Sequence, residues 1–314
     1  MVQQRIRWGI MGCGFISGDF VEAIKLLPAS EHEIVAVGSK DKSRAEEFKK
    51  KHELSCAVAY GSYDEFVKDA NIDIVYVGTR NNQHMDDVIR CANAKKNILC
   101  EKPMGLNLAE VKKMYQVAKQ NNVFLQEAFW SRFFPIYKDI RKIINDGIIG
   151  DVQVVQASLG FPILEKMERL YKPELGGGMA LDLGCYLVQF ALMVFGKGKK
   201  IEKVCANGWT KHSVDDTGVF VVKFEGCKIA SLVYTGTTVL KCGAEICGTK
   251  GRIEIPSDMN APDKYSVTVM ENDKECTKNY SHERPKGDLS KFHFPTSNGL
   301  AFEADGVRKH LLTG

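Results

Sequence analysis

Short apolar runs alternate with amphipathic stretches along the first part of the chain. Residues 6–11, 33–37, 73–78, 97–100 and 123–126 are apolar runs, each followed by glycine or by polar and charged residues. Runs of this length with no helical period predict buried strands. Between them, Phe20, Ala23, Ile24 and Leu27, then Val88, Ile89 and Ala92, then Leu108, Val111, Met114, Tyr115 and Ala118 fall at helical spacing, and residues 43–51 read as a further helix. Strand and helix in strict alternation predict a doubly wound parallel sheet.

From residue 152 the pattern changes. Strand-like runs at 152–159, 204–209, 218–224, 229–234, 244–248 and 252–255 are joined mostly by short turns such as Glu225-Gly226. That predicts a largely antiparallel, open sheet. The fold class expected is α/β: an N-terminal Rossmann domain over residues 1–127, then a C-terminal α+β domain over residues 128–314.

Composition changes this picture little. A chain of 314 residues with 44% hydrophobic content can fill two cores, and its net charge of +4 is spread out rather than gathered into a basic block. Nucleic acid is therefore not an expected partner. Residues 1–9 lack the apolar centre of a signal peptide, and no apolar run is read as long enough to span a bilayer, so the expected location is the cytoplasm, away from membranes. The ten cysteines are scattered without a C-x-x-C pair or zinc-ligand spacing, so no metal is expected.

Chemistry enters at the strand ends. Gly12-Cys13-Gly14-Phe15-Ile16-Ser17 follows the first strand and opens the first helix. Gly12 allows a tight turn, Gly14 lets a pyrophosphate approach the backbone, and Phe15 and Ile16 begin a helix whose free N–H groups suit phosphate oxygens. Ser39, Lys40 and Arg44 follow the second strand, where an NAD site wants a carboxylate; a hydroxyl and two cations suit the 2′-phosphate of NADP instead, and Asp41 comes too late for the ribose. Thr79, Asn82 and His84 close the third run and join the same crevice, with His84 a cap or a cofactor contact. Glu101-Lys102-Pro103 lies on the turn after residues 97–100. Trp130 and Arg132 are the expected ligand-facing members of the aromatic stretch 129–135, with Phe133 and Phe134 equally suited to a packed hinge. Farther on, the glycine turn 176–178 feeds an apolar helix on which Asp182 and Tyr186, four apart, share a face.

These motifs together resemble the Gfo/Idh/MocA oxidoreductases: the N-terminal glycine motif, Glu101-Lys102-Pro103, and Asp182-x-x-x-Tyr186. Tyr-Val-Gly-Thr at 76–79, Glu-Ala-Phe-Trp-Ser-Arg-Phe-Phe-Pro at 127–135, Val-Asp-Asp-Thr at 214–217 and Gly-Thr-Lys-Gly at 248–251 are similar to one branch of that family. The resemblance implies Lys102 and Tyr186 as the catalytic pair, Asp182 beside them on the substrate side, and Trp130 and Phe161 among the substrate contacts. It also implies NADP, a homodimer formed through the C-terminal sheet, and oxidation of trans-dihydrodiols to catechols and of aldopentoses such as D-xylose to the lactone.

In that chemistry a hydroxyl proton leaves while hydride passes to the nicotinamide, so the protein supplies a base. A phenol titrates near pH 10, and a nearby ammonium group favours its ionised form. Tyr186 is thus expected as general base assisted by Lys102, with the reverse assignment open. Two other functions remain open: an NADPH-dependent reductase of sugars or dicarbonyls, and a non-catalytic NADP-binding sensor.

Overall fold

The computed structural model describes residues 5–196 and 198–313, which divide into two compact units: one up to Trp130 together with the stretch from Arg284 onward, the other Ser131–Glu283. In the first unit the expected alternation is present: β1 (Ile6–Met11), α1 (Phe15–Ile24), β2 (His32–Gly38), α2 (Lys42–Lys51), β3 (Val58–Tyr60), α3 (Tyr63–Phe66), β4 (Ile74–Val77), α4 (His84–Asn93), β5 (Asn97–Glu101), α5 (Leu108–Asn121) and β6 (Leu125–Ala128). Six parallel strands lie in the order β3-β2-β1-β4-β5-β6. β1 thus has β2 on one side and β4 on the other, a topological switch point whose crevice lies beyond the strands' carboxyl ends.

Local chemistry sets the helix limits. Asp41 caps α2 by accepting from the Ser43 N–H, and Asn107 caps α5 by accepting from the Glu110 N–H at 3.0 Å. Asn122, in the left-handed region, ends α5. The core between β1 and α1 is aromatic: Trp8 meets Phe20 edge-on at 5.2 Å, and Phe20 stacks on Tyr76 at 3.9 Å.

The second unit begins with α6 (Pro135–Asn145), β7 (Val152–Gly160) and the one-turn α7 (Glu168–Tyr171). A π-helical turn, Ala180–Gly184, then runs directly into α8 (Cys185–Phe195). Seven strands follow: β8 (Ile201–Lys211), β9 (Val214–Phe224), β10 (Lys228–Thr235), β11 (Ala244–Gly248), β12 (Gly251–Ile255), β13 (Lys264–Glu271) and β14 (Lys274–Ser281). The sheet order is β14-β13-β12-β11-β7-β10-β9-β8, antiparallel except where β10 pairs with β7. One face, with Val155, Ala157, Val222, Ala230, Leu232, Ile246 and Ile253, is buried. The opposite face, with Val154, Val219, Val221, Ile229 and Val233, is not.

Three expectations need correction. The second domain does not run to residue 314, because the segment from Arg284 belongs to the first unit. There α9 (Leu300–Thr313) buries Leu300, Ala301, Ala304 and Val307, and the buried Asp19 carboxylate of α1 accepts the backbone N–H groups of His293 and Phe294 at 2.6 and 3.0 Å. An unpaired backbone N–H is costly to bury, so these bonds hold the returning chain against α1. Secondly, β3, β13 and β14 add to the expected strands: β3 and β14 carry no strong apolar alternation, whereas β13 does, with Tyr265, Val267 and Val269 set between Lys264, Ser266 and Thr268. Thirdly, Pro173–Phe195 is 23 residues long and apolar enough to cross a membrane by length and composition. Its apolar 18-residue window is 61% buried within the protein, and the stretch carries Asp182 in an ion pair, which fits a core segment.

Candidate active site

The crevice of the first unit is built from strand-end turns, and close backbone approach fixes them. The Gly12 N–H donates to the Gly38 carbonyl and the Gly78 N–H to the Met11 carbonyl, each at 2.9 Å, so the ends of β1, β2 and β4 are tied together. Gly12 has φ +95°, and a Cβ there would sit 2.9 Å from the Gly78 oxygen. Ser17, the small residue closing the motif, is fully buried with its hydroxyl 3.5 Å from that same carbonyl. Gly14 caps α1 without any side-chain hydrogen bond, and a Cβ built on it would meet only the Gly78 oxygen, at 3.8 Å. The turn therefore has room for a pyrophosphate over the N–H groups that open α1 at Phe15 and Ile16.

The residues after β2 converge on this turn. Ser39 is buried, and its Oγ accepts from the Asp41 N–H at 3.4 Å. Arg44 donates to the Cys13 carbonyl at 3.4 Å, which places the guanidinium over the glycine turn. Asp41 spends its carboxylate on the backbone and hydroxyl of Ser43, both at 2.9 Å, and so serves the helix rather than a ribose. Lys40 is exposed beside this group. Burial pushes the Cys13 thiol up to about 11, against the opposing influence of Arg44 and Ser39.

After β4 and β5 the expected contacts sort differently. The Thr79 hydroxyl donates to Asp87 at 2.8 Å, and the His84 ring nitrogens face the carbonyls of Pro103 at 2.9 Å and Thr79 at 3.2 Å. His84 is fully buried, and burial holds its pKa below the ordinary imidazole value. It joins two turns instead of offering a nitrogen to a cofactor, which corrects the expected contact role. Asn82 is exposed. Glu101 likewise supports the turn: it accepts the Tyr76 phenol and, at 3.2 Å, the Lys102 N–H. Lys102 follows, half-buried, ahead of a cis peptide bond to Pro103. Glu127, at the end of β6, accepts the Met104 N–H at 2.8 Å; burial raises its pKa, while Met104 and the charge on Lys102 oppose that shift. Glu127 stands at the head of the 127–135 motif, but nothing in the sequence shows that it braces the turn of Lys102. Trp130 is buried at the end of the first unit.

In the second unit Asp182 and Tyr186 are both buried, at 5% and 8% exposure, on one run of helix. That run is not a single α-helix: Asp182 lies in the π-helical turn and Tyr186 in α8, a local widening common at functional sites. Asp215 anchors the turn by accepting the Ala180 N–H at 2.6 Å, and Arg169 donates to Asp182 Oδ1 at 2.9 Å. Asp215 stands in the 214–217 motif; Arg169 has no sequence signal. The buried Tyr137 phenol donates to the Met259 carbonyl, and burial, then the neighbouring Tyr186, push its pKa up. Phe161 is half-buried where β7 ends, and its N–H donates to the Thr235 carbonyl at 3.2 Å. Arg132 is exposed, close enough to Arg141 to lower that residue's pKa alongside burial.

One group among the described residues has metal-ligand proximity: Glu31, His32 and Asp305, with ligand atoms within 4.8 Å of one another. His32 Nδ1 accepts the Trp8 indole N–H at 3.2 Å, so the ring proton sits on Nε2 and that nitrogen has no lone pair for a metal. Arg308, 3.7 Å from Glu31, adds a cation to the cluster.

Comparison with known proteins follows the same division. Residues 6–129 match the family described as "Oxidoreductase family, NAD-binding Rossmann fold", and residues 137–254 match the "GFO/IDH/MocA C-terminal domain". The chain is 42% identical over 309 residues to trans-1,2-dihydrobenzene-1,2-diol dehydrogenase of Xenopus tropicalis, covering 98% of this chain and 90% of that one. It is 37% identical over 311 residues to the Homo sapiens protein of the same name, covering 98% and 89%. Among solved structures, a 3-ketoreductase from Actinomadura kijaniata in complex with NADP superposes with a TM-score of 0.81 at 20% identity, covering 99% and 90%. A levoglucosan dehydrogenase in complex with NADH and levoglucosan gives 0.84 at 20% identity, covering 98% and 90%. At that identity the solved structures speak to the fold.

The raised pKa of Cys13 sets its reactivity. Because the thiolate is the nucleophile, alkylation of Cys13 by iodoacetamide is expected to be slow at pH 7 and to quicken by about tenfold per pH unit toward pH 9. Site-resolved mass spectrometry over that range checks it, and a rate independent of pH would contradict the assignment.

Proposed function

The chain belongs to the Gfo/Idh/MocA family of oxidoreductases, and from that premise we propose that it is an NADP-dependent dehydrogenase oxidising trans-dihydrodiols to catechols and aldopentoses such as D-xylose to the lactone. The observation that carries this reading is buried Asp182, on the same run of helix as Tyr186 and paired with Arg169 of α7, a charged group in a helix otherwise built largely as core. Such a helix retains a charged group when that group has work to do.

NADP, when bound, supplies the acceptor for hydride. Its cradle in this reading is the turn of Gly12 and Gly14, with Ser39, Lys40 and Arg44 on the 2′-phosphate; the absence of a usable carboxylate after β2 supports NADP over NAD. Tyr186 takes the hydroxyl proton of the substrate. Lys102, held on its turn by Glu101 and Glu127, supplies the positive charge that favours phenolate over phenol. Burial, then the neighbouring Tyr186, keep Tyr137 a neutral phenol, so it does not compete as the base. Asp182 accepts from a neighbouring substrate hydroxyl, with Phe161 of the same unit and Trp130 of the first unit each proposed as an apolar substrate contact.

The open face of the second sheet supports a homodimer. β8 is exposed along its whole length, Trp209 at 78%, and the register aligns Cys205, Val221 and Ser231 across three strands on the open side. A second copy of this chain is the proposed cover. All ten cysteines are free, as suits a reducing cytoplasm.

Three measurements test these assignments. Tyr186→Phe is expected to lower kcat for D-xylose or benzene dihydrodiol by about 100-fold or more while leaving NADP affinity unchanged; near-native turnover would sink the general-base role. Arg44→Ala should weaken NADP binding by about tenfold in a fluorescence titration and leave NAD binding unchanged; equal effects on both would refute the 2′-phosphate contact. Val221→Glu, read by sedimentation velocity, should shift the chain from dimer to monomer.

A further inference from the structure

Asp182 is a buried carboxylate on the turn proposed to face substrate, and a buried charge needs a partner of opposite sign if it is to stay ionised. Arg169 provides one, with Nη1 at 2.9 Å from Oδ1. Arg169 belongs neither to the glycine turn nor to the helix but to α7, thirteen residues earlier.

The glycine turn locks α7 in place. The Gly178 N–H donates to the Leu170 carbonyl at 2.9 Å and the Gly177 N–H to the Lys172 carbonyl at 3.1 Å. A Cβ on Gly177 would lie 2.7 Å from the Leu170 oxygen, so the two segments touch backbone to backbone. Leu170 is buried at 1% exposure, pinning the short helix from below. On the far side of Arg169, Nη2 rests 3.7 Å from the Met167 sulfur. Lys172, just after α7, pairs with Glu168 within it, so that cation does not compete for Asp182. Arg169 thus has a fixed base and a fixed direction.

We propose that Arg169 is a positioning residue for substrate recognition: it holds Asp182 as an oriented acceptor, and the neutral pair selects uncharged polyols that donate a hydroxyl to that carboxylate. This rests on the dehydrogenase reading with Asp182 on the substrate side. An acceptor fixed by a rigid guanidinium rewards a substrate that carries the matching hydroxyl over one that lacks it, because the hydrogen bond forms without reorienting the carboxylate. A lysine, with a compact ammonium and no planar fork, would hold Asp182 less rigidly.

The test compares the unaltered chain with R169A, R169K, D182N and the R169A/D182N double variant, using D-xylose and its monodeoxy analogues with saturating NADP. R169A is expected to raise KM for D-xylose by about tenfold or more, to leave kcat within about threefold and KM for NADP unchanged, and to shrink the preference for D-xylose over the most affected deoxy analogue. R169K should recover part of the KM effect. The double variant should be no worse than D182N alone, because Arg169 acts through Asp182. A merely structural arginine would lower the active fraction, and so kcat, without moving KM or the deoxy preference; that result, or additive effects in the double variant, would overturn the proposal. If R169A does not fold, as judged by its thermal transition, R169Q is read in the same way. No turnover by the unaltered chain would overturn the dehydrogenase reading and this inference with it, whereas normal turnover with an unaffected R169A would overturn this inference alone.

Discussion

Three parallel strands of the first unit end where only backbone fits. A Cβ on Gly12 would press on the Gly78 carbonyl, and one on Gly78 would come within 2.3 Å of the Ser17 hydroxyl. Because nothing separates the chains there, the turns after β1, β2 and β4 share one frame, tied by the Gly12 and Gly78 N–H groups. The start of α1, the group around Ser39 and Arg44, and Thr79 with its Asp87 partner all take their places from it. Enlarging one glycine would move several groups at once, since strands held in register have no independent freedom at their ends.

Carboxylates do much of the remaining fixing, each by accepting donors the backbone could not otherwise satisfy. Asp19 takes two N–H groups of the returning segment, Glu101 and Glu127 brace the turn of Lys102, and Asp215 anchors the π-helical turn of Asp182. Hydrogen bonds to a charged acceptor are among the stronger ones available, so a few residues suffice to fix several turns. Glu303 is the exception: burial and the charge on Glu101 push its pKa well above the ordinary carboxyl value, which favours its neutral form.

The parts legible in the sequence were those where one residue type has one physical use. Glycines in a strand-to-helix turn, apolar runs and helical periods locate β1, β5 and α5 closely, and α5 begins at Leu108, where the helical period begins. Lys102, Asp182 and Tyr186 drew attention for the same reason, as polar groups in apolar company. Relationships between distant segments were not legible. Arg169 looks like any exposed cation until α7 is seen clamped to the glycine turn, and His84 looks like a ligand until both ring nitrogens are found facing carbonyls. β14 reads as a polar loop because its residues, Lys274–Ser281, are almost all exposed and nothing in their pattern marks a face. The π-helical turn has no compositional signature at all, since it depends on Asp215 from another strand.

The path of the chain has a consequence for how the molecule is made. The first unit is left incomplete when Trp130 is added and is finished only when the segment from Arg284 arrives, with the whole second unit synthesised in between. During synthesis α1 therefore waits, its Asp19 carboxylate and the surface destined for α9 uncovered, while the second unit has every residue it needs once Glu283 has emerged. The second unit can therefore close before the first has all its segments, the reverse of the order in which the two begin to be made. A nonsense codon after Glu283 would strike the unit whose other elements are encoded before Trp130.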